Sequence, residues 1–184
     1  CGAKALDLKR FDVDFAWTID CCELGEIVYE NFNAAAAEIR FTGVTAHPMS
    51  AKGVLVNPLL MATDFISHFD RRQTPECTEG REGYIWFNGI QAGQNEAILK
   101  ANIRDFDKDG FVARKQHIAD VAAQIAAQHP TANVEYRIED TYSNISNAIG
   151  EDRRAIDLMF EAMESLGITP KPTPMRGGTD GAAL

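Results

Sequence analysis

The sequence predicts an α+β chain: a complete β-α-β-β-α-β unit over residues 37–140, set between two strips, 1–36 and 141–184, of a second domain of α/β type. Three observations carry this. Apolar residues alternate along 39–41, 97–103 and 134–138, the period of half-buried strands, and 83–90 is an aromatic and β-branched run. They recur every three or four residues along 58–69 and 108–128, the period of amphipathic helices. The flanks do not close a layered fold by themselves, as expected where a small domain is inserted into a larger host.

Taken in order, Phe15, Trp17 and Ile19 alternate with Asp14, Ala16, Thr18 and Asp20, which predicts a strand ending at Asp20. A second strand is expected over Gly25–Phe32. Ile39 and Phe41 face one way and Glu38, Arg40 and Thr42 the other, a half-buried strand over Ala37–Gly43. Asn57 and Pro58 read as the N-cap and first position of a helix whose buried stripe is Leu59, Ala62, Ile66 and Phe69. After a charged loop, a strand from Gly83 and a strand with Ala97, Leu99, Ala101 and Ile103 inward form an antiparallel hairpin turning at 92–95. A long helix follows over Lys108–Gln128 with Phe111, Ile118, Val121, Ala122 and Ile125 inward, and Pro130 lies past its end. Ala132–Glu139 is the last strand, with Val134, Tyr136 and Ile138 on one side. This order is that of a ferredoxin-like sandwich, two helices on one face of a four-stranded sheet. Beyond it, Ile156, Met159, Phe160, Met163 and Leu166 mark an amphipathic helix, and Pro170, Pro172 and Pro174 lead into a glycine-rich turn, Met175–Gly181.

The net charge of −9 comes from scattered acids, with no cluster of Lys and Arg, so a nucleic-acid partner is not expected. No apolar run is long enough to span a bilayer, and Cys1–Arg10 has no signal-peptide h-region. Cys1, Cys21, Cys22 and Cys77 show neither a disulfide framework nor a paired zinc spacing, which favours a reduced, cytoplasmic setting.

Four places carry residue types suited to chemistry. Asp20, at the predicted strand end, has the position of a cation ligand, although such an acid is more often a turn or cap residue. His47 lies on a loop among small residues, where it can meet a substrate oxygen; the spacing alone favours a surface histidine beside a turn proline. Arg104 stands on the polar face at a strand end, able to clamp a carboxylate or to pair with Asp105 or Asp107. Arg176, Gly177, Gly178 and Thr179 combine a cation with backbone that a ligand can approach closely, or form only a turn. His68, His117 and His129 receive no role.

Six segments in register, Phe15–Asp20, Tyr29–Ala34, His47–Gly53, Thr78–Gly83, Ile103–Asp107 and Arg176–Gly181, together resemble the two-zinc metallopeptidase family that includes carboxypeptidase G and the aminoacylases, and within it the bacterial tripeptide aminopeptidases. The resemblance covers essentially the whole chain. It implies a zinc-bearing catalytic domain interrupted by a ferredoxin-like lid, residues 37–140, through which homodimers form. It implies that Asp20 binds one of two zinc ions, that His47 reaches the substrate carbonyl (in dimeric relatives, from the neighbouring subunit) and that Arg104 contacts substrate. It further implies that Arg176, Gly177, Gly178 and Thr179 hold the backbone or terminal carboxylate of a short peptide. Cys21 and Cys22 stand where the family has glycines, and Met49-Ser50 where Gly-Thr is usual. The family's other metal ligands and its general-base glutamate match nothing here and would lie before Cys1 and after Leu184, so this stretch alone is expected to be inactive. The alternatives are a dipeptidase or N-acyl amino acid hydrolase of the same family, or a stand-alone dimerisation or binding module. An RNA-binding version lacks its aromatic strand, since Ile98, Lys100, Asn102 and Arg104 occupy that face.

Overall fold

The computed structural model describes residues 5–19 and 23–183. They fall into two compact units: Ala34–Thr141, and Cys1–Asn33 together with Tyr142–Leu184.

The first of these units is built on β2 (Asn33–Thr42), β3 (Tyr84–Ala92), β4 (Glu96–Asp105) and β5 (Asn133–Tyr142), in the spatial order β3-β4-β2-β5. Helices α1 (Pro58–Ser67) and α2 (Lys108–Gln128) pack on β4 and on each other. This is the element and strand order of a ferredoxin-like sandwich. β3 and β4 pair antiparallel, Tyr84 opposite Arg104 and Trp86 opposite Asn102, with a register shift between Phe87 and Gly89.

One core fills the space between sheet and helices. Ala35, Ala37, Ile39 and Phe41 come from β2, and Ala97, Leu99, Ala101 and Ile103 from β4. Both strands alternate buried and open residues, because helices cover only one face. From α2 come Phe111, Ile118, Val121, Ala122 and Ile125, the predicted set in full. Phe41, Phe65, Phe69 and Phe87 meet through tilted or edge-to-face contacts at 4.9–6.0 Å between centroids. α1 starts where expected, the Asn57 side chain accepting the Leu59 N–H at 3.0 Å. Its buried stripe differs from the prediction. Pro58, Met61, Ala62 and Phe65 are buried, while Leu59 is 42% exposed and Ile66 and Phe69 sit at the core's margin. In β5, Val134 and Ile138 border the core, but Tyr136 is 49% exposed.

The second unit has less regular structure. β1 (Glu26–Ile27) pairs parallel with β6 (Lys171–Pro172), and an isolated bridge joins Asn31 to Met175. Gly25 must be glycine: its φ is +94°, and a Cβ there would lie 2.5 Å from the Thr169 carbonyl oxygen. α3 (Ser146–Ile149) is a single turn, and α4 (Arg154–Ser165) buries only Ile156 fully. Met159, Phe160 and Met163 are half-buried and Leu166 is exposed.

The strand expected over 15–19 is absent. Those residues form an irregular segment laid on α4, with the Trp17 indole N–H donating to the Ala155 carbonyl at 3.0 Å. Phe15 packs edge-on against Trp17 and lies under the Arg154 guanidinium. Asp20, Cys21 and Cys22 lie outside the described residues.

Candidate functional site

His47 follows β2 on a loop and opens a single 3-10 turn, Pro48–Ser50. Its Nδ1 accepts the Met49 backbone N–H at 3.2 Å. An acceptor at Nδ1 places the proton of the neutral ring on Nε2, so the exposed ring offers Nε2–H outward as a donor. Beside it runs a groove of about 560 Å³, floored by Leu55 and Leu59 and walled by the hairpin tip Ala92–Gln94.

Arg104 lies at the far end of β4, opposite Tyr84. Its Nη1 donates to the backbone carbonyls of Ala35 and Ile103 at 3.1 and 2.8 Å. The ion pairs with Asp105 or Asp107 that the sequence left open are not what these acids do. The Asp105 carboxylate is buried, accepts Arg114 Nε at 2.8 Å and also takes the Asp107 N–H at 3.0 Å. Asp107 caps α2, accepting the Gly110 N–H at 2.7 Å. Gly83 and Gly110 give Asp105 its room, since a Cβ on either would come within 2.2 and 2.8 Å of Oδ2.

The two candidates sit at opposite ends of one sheet. Arg104 holds Ala35, at the start of β2, while the other end of β2 meets the hairpin through Gly43 N–H to Asn95 C=O and leads on to His47. The intervening strand from Ala35 to Gly43 is roughly 25 Å long at ~3.3 Å per residue. One small substrate cannot touch both side chains of the same chain.

In the other unit, the Arg176–Thr179 loop leans on residues 30–33 and Tyr142. Met175 N–H donates to the Glu30 carbonyl at 3.1 Å, and the Asn31 side-chain amide donates to the Gly177 carbonyl at 3.3 Å. The Arg176 guanidinium stands 5.1 Å from the Phe32 ring, and a Cβ on Gly178 would touch the Tyr142 ring at 3.3 Å. The Thr179 carbonyl accepts the Ala182 N–H at 3.0 Å.

Sequence reasoning missed Asp105 as a buried anchor and Asn31, Asn33 and Asn144 as a buried cluster. The only signal for Asn31 and Asn33 was the Tyr29–Ala34 motif, and Asn144 carried none. Among the described residues, no group of three or more His, Cys, Asp or Glu side chains is placed to hold a metal ion. A two-metal centre needs several such ligands, so the described residues do not by themselves fit one. No helix of the described residues is long and apolar enough to cross a membrane.

Residues 29–133 match the family model described as a peptidase dimerisation domain, and the chain belongs to the M20 peptidase family. It is 66% identical over 183 residues to a peptidase T-like protein of Yersinia pestis, covering 100% of this chain and 45% of that protein. It is 40% identical over 184 residues to peptidase T of Pectobacterium atrosepticum, again 100% of this chain and 45% of that protein. The chain thus spans less than half the length of these relatives. Among solved structures, a tripeptidase from Staphylococcus aureus superposes with a TM-score of 0.82 at 23% identity, covering 99% of this chain and 48% of that one. A dinuclear metal-binding M20 peptidase from Bacillus subtilis gives a TM-score of 0.61 at 19% identity over 86% of this chain and 40% of that one. These two likenesses concern the fold.

Proposed function

We propose that the protein to which this chain belongs is a cytoplasmic aminopeptidase that removes the N-terminal residue from tripeptides and works as a homodimer. The observation that carries this reading is the 40% identity, across the whole chain, to a relative named peptidase T. Zinc is the ion proposed for the whole protein, with Asp20 as one ligand and the rest contributed by parts of the longer protein.

Within this chain the roles divide by geometry. His47 presents Nε2–H as a fixed donor, suited to the oxygen of a carbonyl that gains negative charge during attack. The Met49 N–H on Nδ1 selects the Nε2–H tautomer of the neutral ring without a carboxylate partner. Arg104 grips substrate from the opposite end of the sheet, so the His47 that serves a given substrate belongs to the second copy of the chain. Arg176 and the Gly177-Gly178-Thr179 backbone receive the peptide's main chain or terminal carboxylate.

The test is the full-length protein prepared with zinc and offered tripeptides, dipeptides and N-acyl amino acids. Preferential release of the first residue of tripeptides is expected. No tripeptide cleavage overturns the reading, and preference for the other substrates moves it to a neighbouring specificity. The 184-residue chain by itself should be inactive.

A further inference from the structure

The segment Glu30–Asn33 has no part in the reading above, yet each of its residues is tied to the candidate substrate loop or to the stretch after β5. Glu30 and Asn31 hold Met175 and Gly177, and Phe32 lies beneath Arg176. Asn31 also takes the Ile145 N–H on its Oδ1 at 2.7 Å, and its own backbone N–H donates to Asn144 Oδ1 at 3.0 Å. Asn144 Oδ1 accepts a second N–H, from Ser146, at 3.0 Å. Asn33 Oδ1 accepts the Asn144 N–H at 3.0 Å and the Asn147 side-chain amide at 3.1 Å. Asn31, Asn33 and Asn144 are 0, 4 and 3% exposed, so these bonds form away from water.

Two features give this cluster a purpose beyond filling space. The first is its place. Asn33 and Tyr142 are the last and first residues of their unit at the two points where the chain crosses to and from Ala34–Thr141. The second is its chemistry. Asn31 must donate to a carbonyl and accept from an N–H with one side chain, which an amide does and a carboxylate does not. Buried polar groups of this kind tolerate no mismatch, because an unmade bond cannot be replaced by water.

We infer that Asn31, braced by Asn144, is a positioning residue for the substrate loop: the pair sets the backbone of Arg176–Thr179 from the two chain crossings that attach the inserted unit. The inference rests on the reading of that loop as the substrate-binding one. It assigns to the Tyr29–Ala34 motif a mechanical role. The carbonyl of Gly177 is turned toward Asn31, and the orientation of the peptide groups that follow is thereby fixed. Of the contacts that tie this segment to the loop, the Glu30 carbonyl and the Phe32 ring among them, the Asn31 amide is the side-chain hydrogen bond that meets the loop backbone at Gly177.

The test is made in the full-length enzyme with a tripeptide substrate. Asn31→Asp keeps the size and the oxygen that accepts the Ile145 N–H, but sets an acceptor against the Gly177 carbonyl. It should raise KM about tenfold and leave kcat within about threefold, the scale of one buried hydrogen bond turned unfavourable. Asn144→Ala should raise KM in the same way, with both variants still folded by circular dichroism. Arg176→Ala is measured beside them. Because Asn31 acts through the loop, the double variant Asn31→Asp/Arg176→Ala should raise KM no further than the larger single effect. The inference is overturned if Arg176→Ala raises KM while the asparagine variants do not, or if the effects multiply in the double variant. Unfolding of both asparagine variants also counts against it, in favour of a structural role alone. If Arg176→Ala changes neither KM nor kcat, the substrate-loop reading itself is lost, an outcome distinct from the others.

Discussion

Replacing Asp105 by alanine removes the group that anchors the strand end bearing Arg104. Asp105 joins β4 to α2 at two points: it closes β4, accepts Arg114 Nε from α2 at 2.8 Å, and receives the N–H of Asp107, the cap of that helix, at 3.0 Å. The Arg114 and Asp105 side chains are 19 and 10% exposed, so water screens the pair little. Removing one member of such a pair costs ~3–5 kcal/mol, because the other charge stays behind without it. Arg114 keeps a hydrogen bond to Gln73 Oε1 at 2.6 Å, which places the loss at the lower end. In a domain of roughly 100 residues, ~3 kcal/mol at ~4 °C per kcal/mol lowers Tm by about 12 °C. The assay is thermal unfolding of the 184-residue chain by circular dichroism. Arg72→Ala is the control: its bidentate pair with Asp70 lies in solvent and should leave Tm unchanged. A fall of less than ~4 °C for Asp105→Ala, about 1 kcal/mol, would refute the claim that this pair anchors the strand end.

Gly83→Ala would push a Cβ to 2.2 Å from Asp105 Oδ2 and 2.8 Å from the Arg104 carbonyl oxygen. It should destabilise by ~1–3 kcal/mol in the same melt, whereas Gly93→Ala, with nothing within 4 Å, should not register. In the full-length enzyme, His47→Gln should lower kcat by about 10²-fold, the scale of one lost oxyanion donor. If His47 acts on the second subunit's substrate, mixing inactive His47→Gln and Arg104→Ala dimers and letting them exchange should restore about a quarter of wild-type activity, because half the dimers then hold one intact site. No recovery would place both groups on one subunit's substrate. The guanidinium of Arg154 and its backbone N–H hold the Asp152 carboxyl down to about 2. Unfolded aspartate titrates near ~3.9, so this contact stabilises above that pH and is lost as pH falls through about 2. A carbon-detected NMR titration should show Asp152 still ionised at ~pH 3, and Arg154→Ala, which removes the guanidinium and keeps the backbone N–H, should move it up toward the ordinary range.

The inserted unit was largely legible because its covering is one-sided. Alternation along β4 and the helical period of α2 each name the buried residues without ambiguity, and the core contains them all. α1 was read one step out of phase for a physical reason. Leu59, Leu60, Met61 and Ala62 form a continuous apolar run, so periodicity cannot choose a face there. The choice falls to packing, and Phe65, fixed against Phe41 and Phe87, turns Met61 inward and leaves Leu60 59% exposed. The segment 15–19 shows the converse failure. Its period of two states which way side chains would face in a sheet, but a strand exists only where another strand pairs with it. Among the described residues that segment finds the end of a helix instead, and Trp17 spends its one donor on Ala155.

The Arg104-Asp105-Phe106-Asp107 motif shows how far local reading extends. Adjacent strand residues point to opposite faces, so Arg104 and Asp105 could never have paired, and that much follows from the sequence once the strand is assigned. Asp107 is equally legible as a cap, two residues beyond the strand and just before a helix. Arg114 as the partner of Asp105 is not, because it requires α2 to return over the strand end at one particular rotation. The asparagine cluster lies beyond any local pattern: its members are separated by up to 113 residues, and a neutral amide carries no periodic or charge signal. Placement of His47 and Arg104 at opposite ends of β2 likewise depends on strand order rather than on either residue's surroundings. The motifs that make the family identifiable therefore consist mostly of residues that hold others in place. His47, Arg104 and the Arg176 loop are the few proposed to meet substrate, and Met49, Ala35, Asp105 and Asn31 are what aim or anchor them.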